Sequence, residues 1–329
     1  MKPHRRQHSN IKALGQKSPA KNAQKGVAII MAMAVVTMAA LAATTIIVLQ
    51  STWARRVQLA NEHTQAQLLI QTGLDWGRAV LSDDLRVSAA DHAGEPWAMV
   101  LPAVRVDNGS LLGHIEDQQG RFNLNNLLQD GSINASQLDA YTRLLNLLNL
   151  SPVLALTLAD WLDSDQQEQP GGGAEDAYYL ALPAPSLAAN RAMQDIAELA
   201  DIAGYDAAVR ARLQPFVTAL PGFAALNVNM ASTEVLAAVI PGLGLDGARA
   251  IVVRRQQAWF RNYADFHSQL PASLRNTAGV SLSEDYLTVS SQFFIATAQV
   301  KYGGAQARGS ALLARSSSGW PRVLWRKSQ

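Results

Sequence analysis

The stretch Lys25–Leu49, KGVAIIMAMAVVTMAALAATTIIVL, decides the fold of this chain. A lysine and a glycine give way to the run from Val27 to Leu49, which carries no charge and only Thr37, Thr44 and Thr45 as polar groups. A helix needs about 20 apolar residues to cross the hydrocarbon of a bilayer, so the run is long enough to span. From Gln50 to Ser82 there is no proline, and larger side chains recur at Trp53, Val57, Leu68, Trp76 and Val80, with Ala60 and Thr64 between them. Those spacings are mostly three or four, the mark of one helical stripe. The pattern predicts one long helix over residues 27–85, apolar all round in its membrane part (27–49) and amphipathic beyond it.

The formal charge of +2 conceals two opposed parts. Lys2, Arg5, Arg6, Lys12, Lys17, Lys21 and Lys25 precede the apolar run with no acid among them, leaving 21 of the 28 bases against all 26 acids. The basic excess before the span predicts a cytoplasmic N-terminus and an exported bulk. Arg55 and Arg56 behind the span are outweighed. A secretory signal is the alternative, with Ala40-Leu41-Ala42 as its cut site. Against it, the apolar run continues through Ile46 to Leu49 and passes into a periodic helix. No cysteine occurs, so no disulfide staples the exported part.

Past Ser82-Asp83-Asp84, which closes the helix, Asp91 to Pro96 reads as a loop. Trp97–Val106 and Leu111–Glu116 are short apolar runs separated by Asp107-Asn108-Gly109, a hairpin-turn signal. The segment that follows, to about Val280, is rich in alanine and leucine at helical spacing. Sheet-like sequence resumes at Tyr286–Val300, Ala305–Ala314 and Arg322–Trp325, with a turn at Arg315–Gly319. The simplest topology is one sheet split by a helical insertion. Gly73 and Gly77 are expected to let the long helix pack closely on that sheet. Within the insertion, FNLNNLL (122–128) and LNVNMAS (226–232) share N-x-N and each lead into a helix, a two-copy echo whose asparagines are expected to bond nearby backbone.

Two stretches bear on chemistry. Pro241-Gly242-Leu243-Gly244 between two short helices, followed by ARAIVVRRQQAWF, resembles a helix-hairpin-helix, with Arg249, Arg254, Arg255 and Arg261 as charge for a phosphate. The exported part is net acidic, whereas a phosphate binder presents a broad basic surface, so an interaction scaffold is the favoured reading and no nucleic-acid partner is expected. The second stretch, DWLDSDQQEQPGGGAEDAYY (160–179), sets Asp163 and Asp165 two apart and returns Glu175 and Asp176 after a glycine run. Carboxylates and loop carbonyls concentrated in this way suit a hard cation with six to eight oxygen ligands; a solvated acidic loop is the alternative. Positions six and twelve from Asp163 are Glu168 and Ala174, which excludes an EF-hand, and the absence of nearby His or Cys disfavours zinc. No nucleophile elbow, Walker loop or HExxH occurs, so no enzyme is indicated.

Gly26 followed by VAIIMAMAVV resembles the start of type IV pilins and pseudopilins, in which a prepilin peptidase cuts after the glycine and the new N-terminus is methylated. The resemblance implies a leader at 1–26, Val27 as first mature residue, and Met31 at the fifth position, where most members carry glutamate. Loss of that acid, together with Asp160–Asp165 (D-W-x-D-x-D), Gly173–Tyr178 (G-x-E-D-x-Y), Pro185–Asn190, Glu198–Gly204 and Gly120–Asn125, resembles the minor pseudopilin K family of type II secretion. This implies an α+β fold, with a pilin-like N-terminal helix on an antiparallel sheet (86–122 and 281–329) and an inserted all-α domain of SAM or helix-hairpin-helix type (123–280). It further implies a non-enzymatic, single-pass inner-membrane protein with a periplasmic bulk, at the tip of a pseudopilus with pseudopilins I and J and with H beneath. Calcium is implied near the acids, carried over to Asp163, Asp165, Glu175 and Asp176. The alternative function is a competence-type, membrane-anchored DNA-binding protein.

Overall fold

A computed structural model describes residues 20–100, 102–275, 283–316 and 319–328. Residues 1–19 of the expected leader, and the expected boundary at 280/281, lie outside them. The chain divides into two compact units, residues 1–61 and 62–329.

Helix α1 runs over Ala20–Asp84. Among the described residues it is the one helix long and apolar enough to cross a membrane. Its apolar part is fully exposed, with Ile30, Val36, Leu41 and Ile47 all more than 60% accessible. The three threonines there return their hydroxyls to the helix, Thr37 to the Ala34 carbonyl and Thr44 and Thr45 to those of Ala40 and Leu41. No donor is left over, as a hydrocarbon environment requires.

From Glu62 onward α1 belongs to the second unit, and here the expected stripe is corrected. Trp53, Val57, Leu68 and Trp76 are exposed, Val80 alone of the larger residues is half-buried against the sheet core, and the buried positions are Ala66, Ile70, Leu74 and Leu81. The reason is steric. A Cβ on Gly73 would sit 3.0 Å from the Ala298 Cβ, and one on Gly77 3.3 Å from that of Ala296. The helix therefore approaches the sheet through Gly73 and Gly77, buries Ile70, Leu74 and Leu81 on the same face and turns both tryptophans away, so the glycine pair packs as expected.

After α1 a 3-10 turn at Pro96–Ala98 buries Trp97, and β1 (Val104–Val106) and β2 (Gly109–Asp117) form a hairpin. Its left-handed residue is Asp107, at φ +47°, with Val106 paired to Gly109. The insertion then follows, as β3 (Phe122–Asn123), a 3-10 turn at Leu124–Leu127, β4 (Leu128–Gln129), β5 (Ser132–Ile133), α2 (Ala135–Leu147), α3 (Val153–Leu162), α4 (Asp176–Leu180) and α5 (Ala207–Leu213). It continues through β6 (Val217–Thr218), β7 (Leu226–Asn227), α6 (Thr233–Val239), α7 (Gly244–Gln257), α8 (Tyr263–Ser268), α9 (Ala272–Arg275) and β8 (Leu287–Thr288). The chain closes with β9 (Phe293–Tyr302), β10 (Ala305–Ala314) and β11 (Arg322–Ser328).

The main sheet is antiparallel in the order β1-β2-β9-β10-β11. Its α1 side is an alternating set, Phe294, Ala296, Ala298 and Val300 on β9 with Ala305, Ala307, Ala311 and Leu313 on β10. The β2–β9 ladder ends at Asp117 opposite Phe294, so the insertion spans residues 118–292, wider than the expected 123–280. Phe122 pairs with Val217 and stacks on Tyr141 at 5.6 Å, inside the helical domain's core rather than in the sheet. Leu287–Thr288 likewise pairs with β7.

The N-x-N echo is structural. Asn123 Oδ1 accepts from the Asn125 N–H and Asn227 Oδ1 from the Asn229 N–H. Asn125 then clamps the backbone of Met193 through both amide atoms, and Asn229 clamps Phe260 in the same way. Buried amides whose donors and acceptors are matched to backbone fix loop positions without leaving an unpaired polar group.

Candidate metal centre

Helix α3 ends where Asp163, its C-cap, donates its N–H to the Ala159 carbonyl at 3.0 Å. One turn back, Asp160 is fully buried and accepts the Gln169 N–H with both oxygens, at 3.0 and 3.2 Å. This staple folds the 163–175 loop back on the helix end. Gly173 lies against the Asp160 carboxylate, where a Cβ would collide with Oδ2. The loop then enters α4 through Glu175, its N-cap.

The fold brings Asp163, Asp165 and Glu175 together, with one oxygen from each within 4.8 Å of the others. Asp163 and Glu175 are buried, 3% and 2% exposed, whereas Asp165 is exposed and caps the loop by accepting the Gln167 N–H at 2.8 Å. Asp163 Oδ1 and both Glu175 carboxylate oxygens are buried with no hydrogen-bond partner. Asp176 stands apart from the trio, since its Oδ1 accepts the Ala188 N–H at 2.9 Å and fixes the 176–188 loop. Asp160 and Asn190 are buried or half-buried polar residues at the end of α3 that the reading of the sequence passed over as candidates. Asn190 donates its N–H to the Trp161 carbonyl and carries a buried, unpartnered Oδ1. The first Asp of D-W-x-D-x-D and the Asn of Pro185–Asn190 were the available signals.

The electrostatics follow from this crowding. Burial, then the neighbouring Asp160, Asp163, Asp176 and Asp165, push the Glu175 carboxyl up to about 7. Burial, then Asp165 and Asp160, push Asp163 up to about 6. Buried carboxylates without a compensating cation resist ionisation, and a hard divalent ion supplies the missing charge and ligands. The orphaned oxygens of Asp163 and Glu175 fit calcium.

The helix-hairpin-helix turn forms between α6 and α7, with Gly242 at φ +79° and Gly244 at φ +65°. Arg255 spends its guanidinium on the Val228 carbonyl at 2.6 Å, and Arg249 pairs with Asp246 at 2.8 Å. Two of the four arginines named for phosphate thus serve the protein itself. Gly26, Val27 and Met31 lie in α1, exposed, where the processing site and the position of the missing acid were expected.

A helix with an apolar head, laid on an antiparallel sheet, defines a pilin-type subunit, and here the sheet is opened by a helical domain. The family profile described as type II secretion system protein K matches in two parts, over residues 120–222 and 226–289. The type II secretion system protein K of Pseudomonas aeruginosa is 35% identical over 93% of this chain and 93% of its own length. That of Aeromonas hydrophila is 33% identical over 68% of this chain and 72% of its own. The chain belongs to the type II secretion system protein K family. The structure described as the GspK-GspI-GspJ complex of the enterotoxigenic Escherichia coli type 2 secretion system matches in fold. Its TM-score is 0.72 at 23% identity, covering 83% of this chain and 99% of that one.

Proposed function

We propose that this chain is the non-enzymatic minor pseudopilin at the tip of a type II secretion pseudopilus, nucleating assembly with pseudopilins I and J, and H beneath, for export of folded proteins across the outer membrane. The observation that carries the reading is Met31 in the apolar helix of a family member with a bulky inserted domain. A carboxylate in hydrocarbon is costly unless paired. A subunit at the leading end has no N-terminal amine ahead to pair with, so it gains nothing from the acid. The complex named for the Escherichia coli neighbour supports I and J as partners. The seven bases before Gly26 support a cytoplasmic N-terminus, inner-membrane anchorage and a periplasmic bulk. Prepilin peptidase then cuts between Gly26 and Val27. Calcium, held by Asp163, Asp165 and Glu175 and by loop carbonyls, with Asp160 bracing the loop, fixes the inserted domain for this contact.

The test is to co-purify the full chain, from a host carrying the prepilin peptidase, with pseudopilins I and J. The expected result is an equimolar complex that starts at Val27. No association at micromolar concentration, or repeated incorporation of this subunit along the fibre, overturns the tip assignment. A mature N-terminus at or beyond Ala43 would point to a secretory signal instead.

A further inference from the structure

A second group of acids lies outside the inserted domain, at the end of the long helix. Asp84 is the last residue of α1, and Asp91 and Glu95 stand on the loop that follows it. The side chain of Asp84 is 9% exposed, and Asp91 and Glu95 are 2% and 5% exposed. One oxygen from each lies within 4.8 Å of the others.

Half of this group is spoken for. Arg315, itself buried, donates Nη1 to Asp84 Oδ2 at 2.9 Å and Nη2 to Asp91 Oδ2 and to the Ser291 carbonyl. Asp91 Oδ2 also accepts the Ser291 N–H at 2.7 Å. Glu95 Oε2 accepts the His92 N–H at 3.0 Å and the Trp97 indole N–H at 2.8 Å. These bonds fix one oxygen of each carboxylate and turn the other free. Asp91 Oδ1 has no partner and no access to water.

One guanidinium faces three carboxylates, so the ionised group keeps an excess of two negative charges out of water, which is costly without a compensating cation. The neighbouring imidazole of His92 is engaged elsewhere. Its Nδ1 accepts the Gly94 N–H, and the ring stacks on Trp259 at 4.6 Å. We propose that Asp84, Asp91 and Glu95 form a divalent-cation site of calcium type, separate from the 163–175 loop. The oxygen-only donor set suits a hard ion.

The location gives the ion a structural task. Asp91 donates its N–H to the Val289 carbonyl at 2.9 Å, and its own carbonyl accepts from Asn227 Nδ2, which also reaches Ser291 Oγ. The ion ties the end of α1 to the point where the chain leaves the insertion and re-enters the sheet. It therefore sets how firmly the helical domain is held to the pilin-like part.

The test uses the full chain in detergent. Bound calcium is counted by equilibrium dialysis and elemental analysis, and terbium emission is excited through tryptophan, since the Trp97 indole touches Glu95. In an Asp163→Asn/Glu175→Gln background, which removes the loop site, we expect about one ion per chain to remain and terbium to be sensitised. Adding Glu95→Gln and Asp91→Asn removes both signals. Retention of both in a variant with unchanged circular dichroism overturns the site, as does their loss with the loop variant alone. Should either variant fail to fold, crystals of the wild-type chain grown with terbium decide. An anomalous peak among the three carboxylates supports the site, and none there leaves protonation as the neutraliser and overturns it.

Discussion

Glu175 shows how much one residue's surroundings decide. An ordinary glutamate ionises near 4.5, whereas burial and four neighbouring acids hold this one near 7. Between those values the folded state binds the extra proton and the unfolded state does not. Stability present below pH 4.5 is therefore lost as the pH rises towards 7. In chelator, melting temperature should fall across that window, and Glu175→Gln should flatten the fall. Calcium should restore stability at neutral pH, by about 2.7 kcal/mol at a hundredfold excess over Kd. Thermal melts with and without calcium read both effects, and Glu175→Gln should remove the loop site's share of the calcium shift while leaving that of the Asp84, Asp91 and Glu95 site. At the same scale, Gly26 replaced by a bulky residue should leave the leader attached, which mass spectrometry of the membrane fraction shows directly.

At the scale of the element, α1 exposes the limit of periodicity. Two stripes on this helix have helical spacing, and the one that carries Trp53, Leu68 and Trp76 is the exposed one. The sheet beneath is faced with Ala296, Ala298, Ala305, Ala307 and Ala311, so close approach requires small residues on the helix as well. Gly73→Val should force the helix off the sheet and cost about 1–3 kcal/mol in chemical denaturation, as overpacking does. Leu68→Ala, on the exposed side, should cost about 0.5 kcal/mol or less. Equal costs would mean that the buried face is misassigned. The N-x-N asparagines were read correctly as backbone-bonding residues, because short amides seek nearby N–H groups. That each also clamps a segment 31 or 68 residues away was not legible, since no local signal names a distant partner.

At the scale of the whole molecule, the helical domain is an insertion whose ends meet. Asp117 and Phe294 are paired across the β2–β9 ladder, so residues 118–292 can be replaced by a short glycine turn without stretching either strand. The excised protein should keep its sheet, with strand signal by circular dichroism and resistance of β9–β11 to limited proteolysis. It should be less stable than the full chain, because Asp91 loses Asn227 and Ser291. A product that is unfolded under all conditions would show instead that the insertion holds the sheet together.

The sequence by itself determined what depends on composition and local order. It set an uncharged run long enough for a membrane with the bases on one side, a helix followed by strands, a sheet interrupted by an alanine- and leucine-rich domain, and an acidic loop after Trp161. The tertiary structure alone decided which groups meet. It buried the face of α1 that carries Gly73 and Gly77 between Ile70, Leu74 and Leu81 rather than the one with the tryptophans, because two close-packed surfaces must match in shape. It moved the ends of the insertion to 118 and 292, because Phe122 and Leu287 find strand partners within the helical domain. It joined Asp163 and Asp165 to Glu175 while giving Asp176 to the Ala188 N–H, and it brought Arg315 from far down the chain onto Asp84 and Asp91, beside Glu95. Carboxylates close in sequence diverge once one caps a helix and its neighbour binds backbone, and the arrival of a distant guanidinium is set by the long-range pairing of strands.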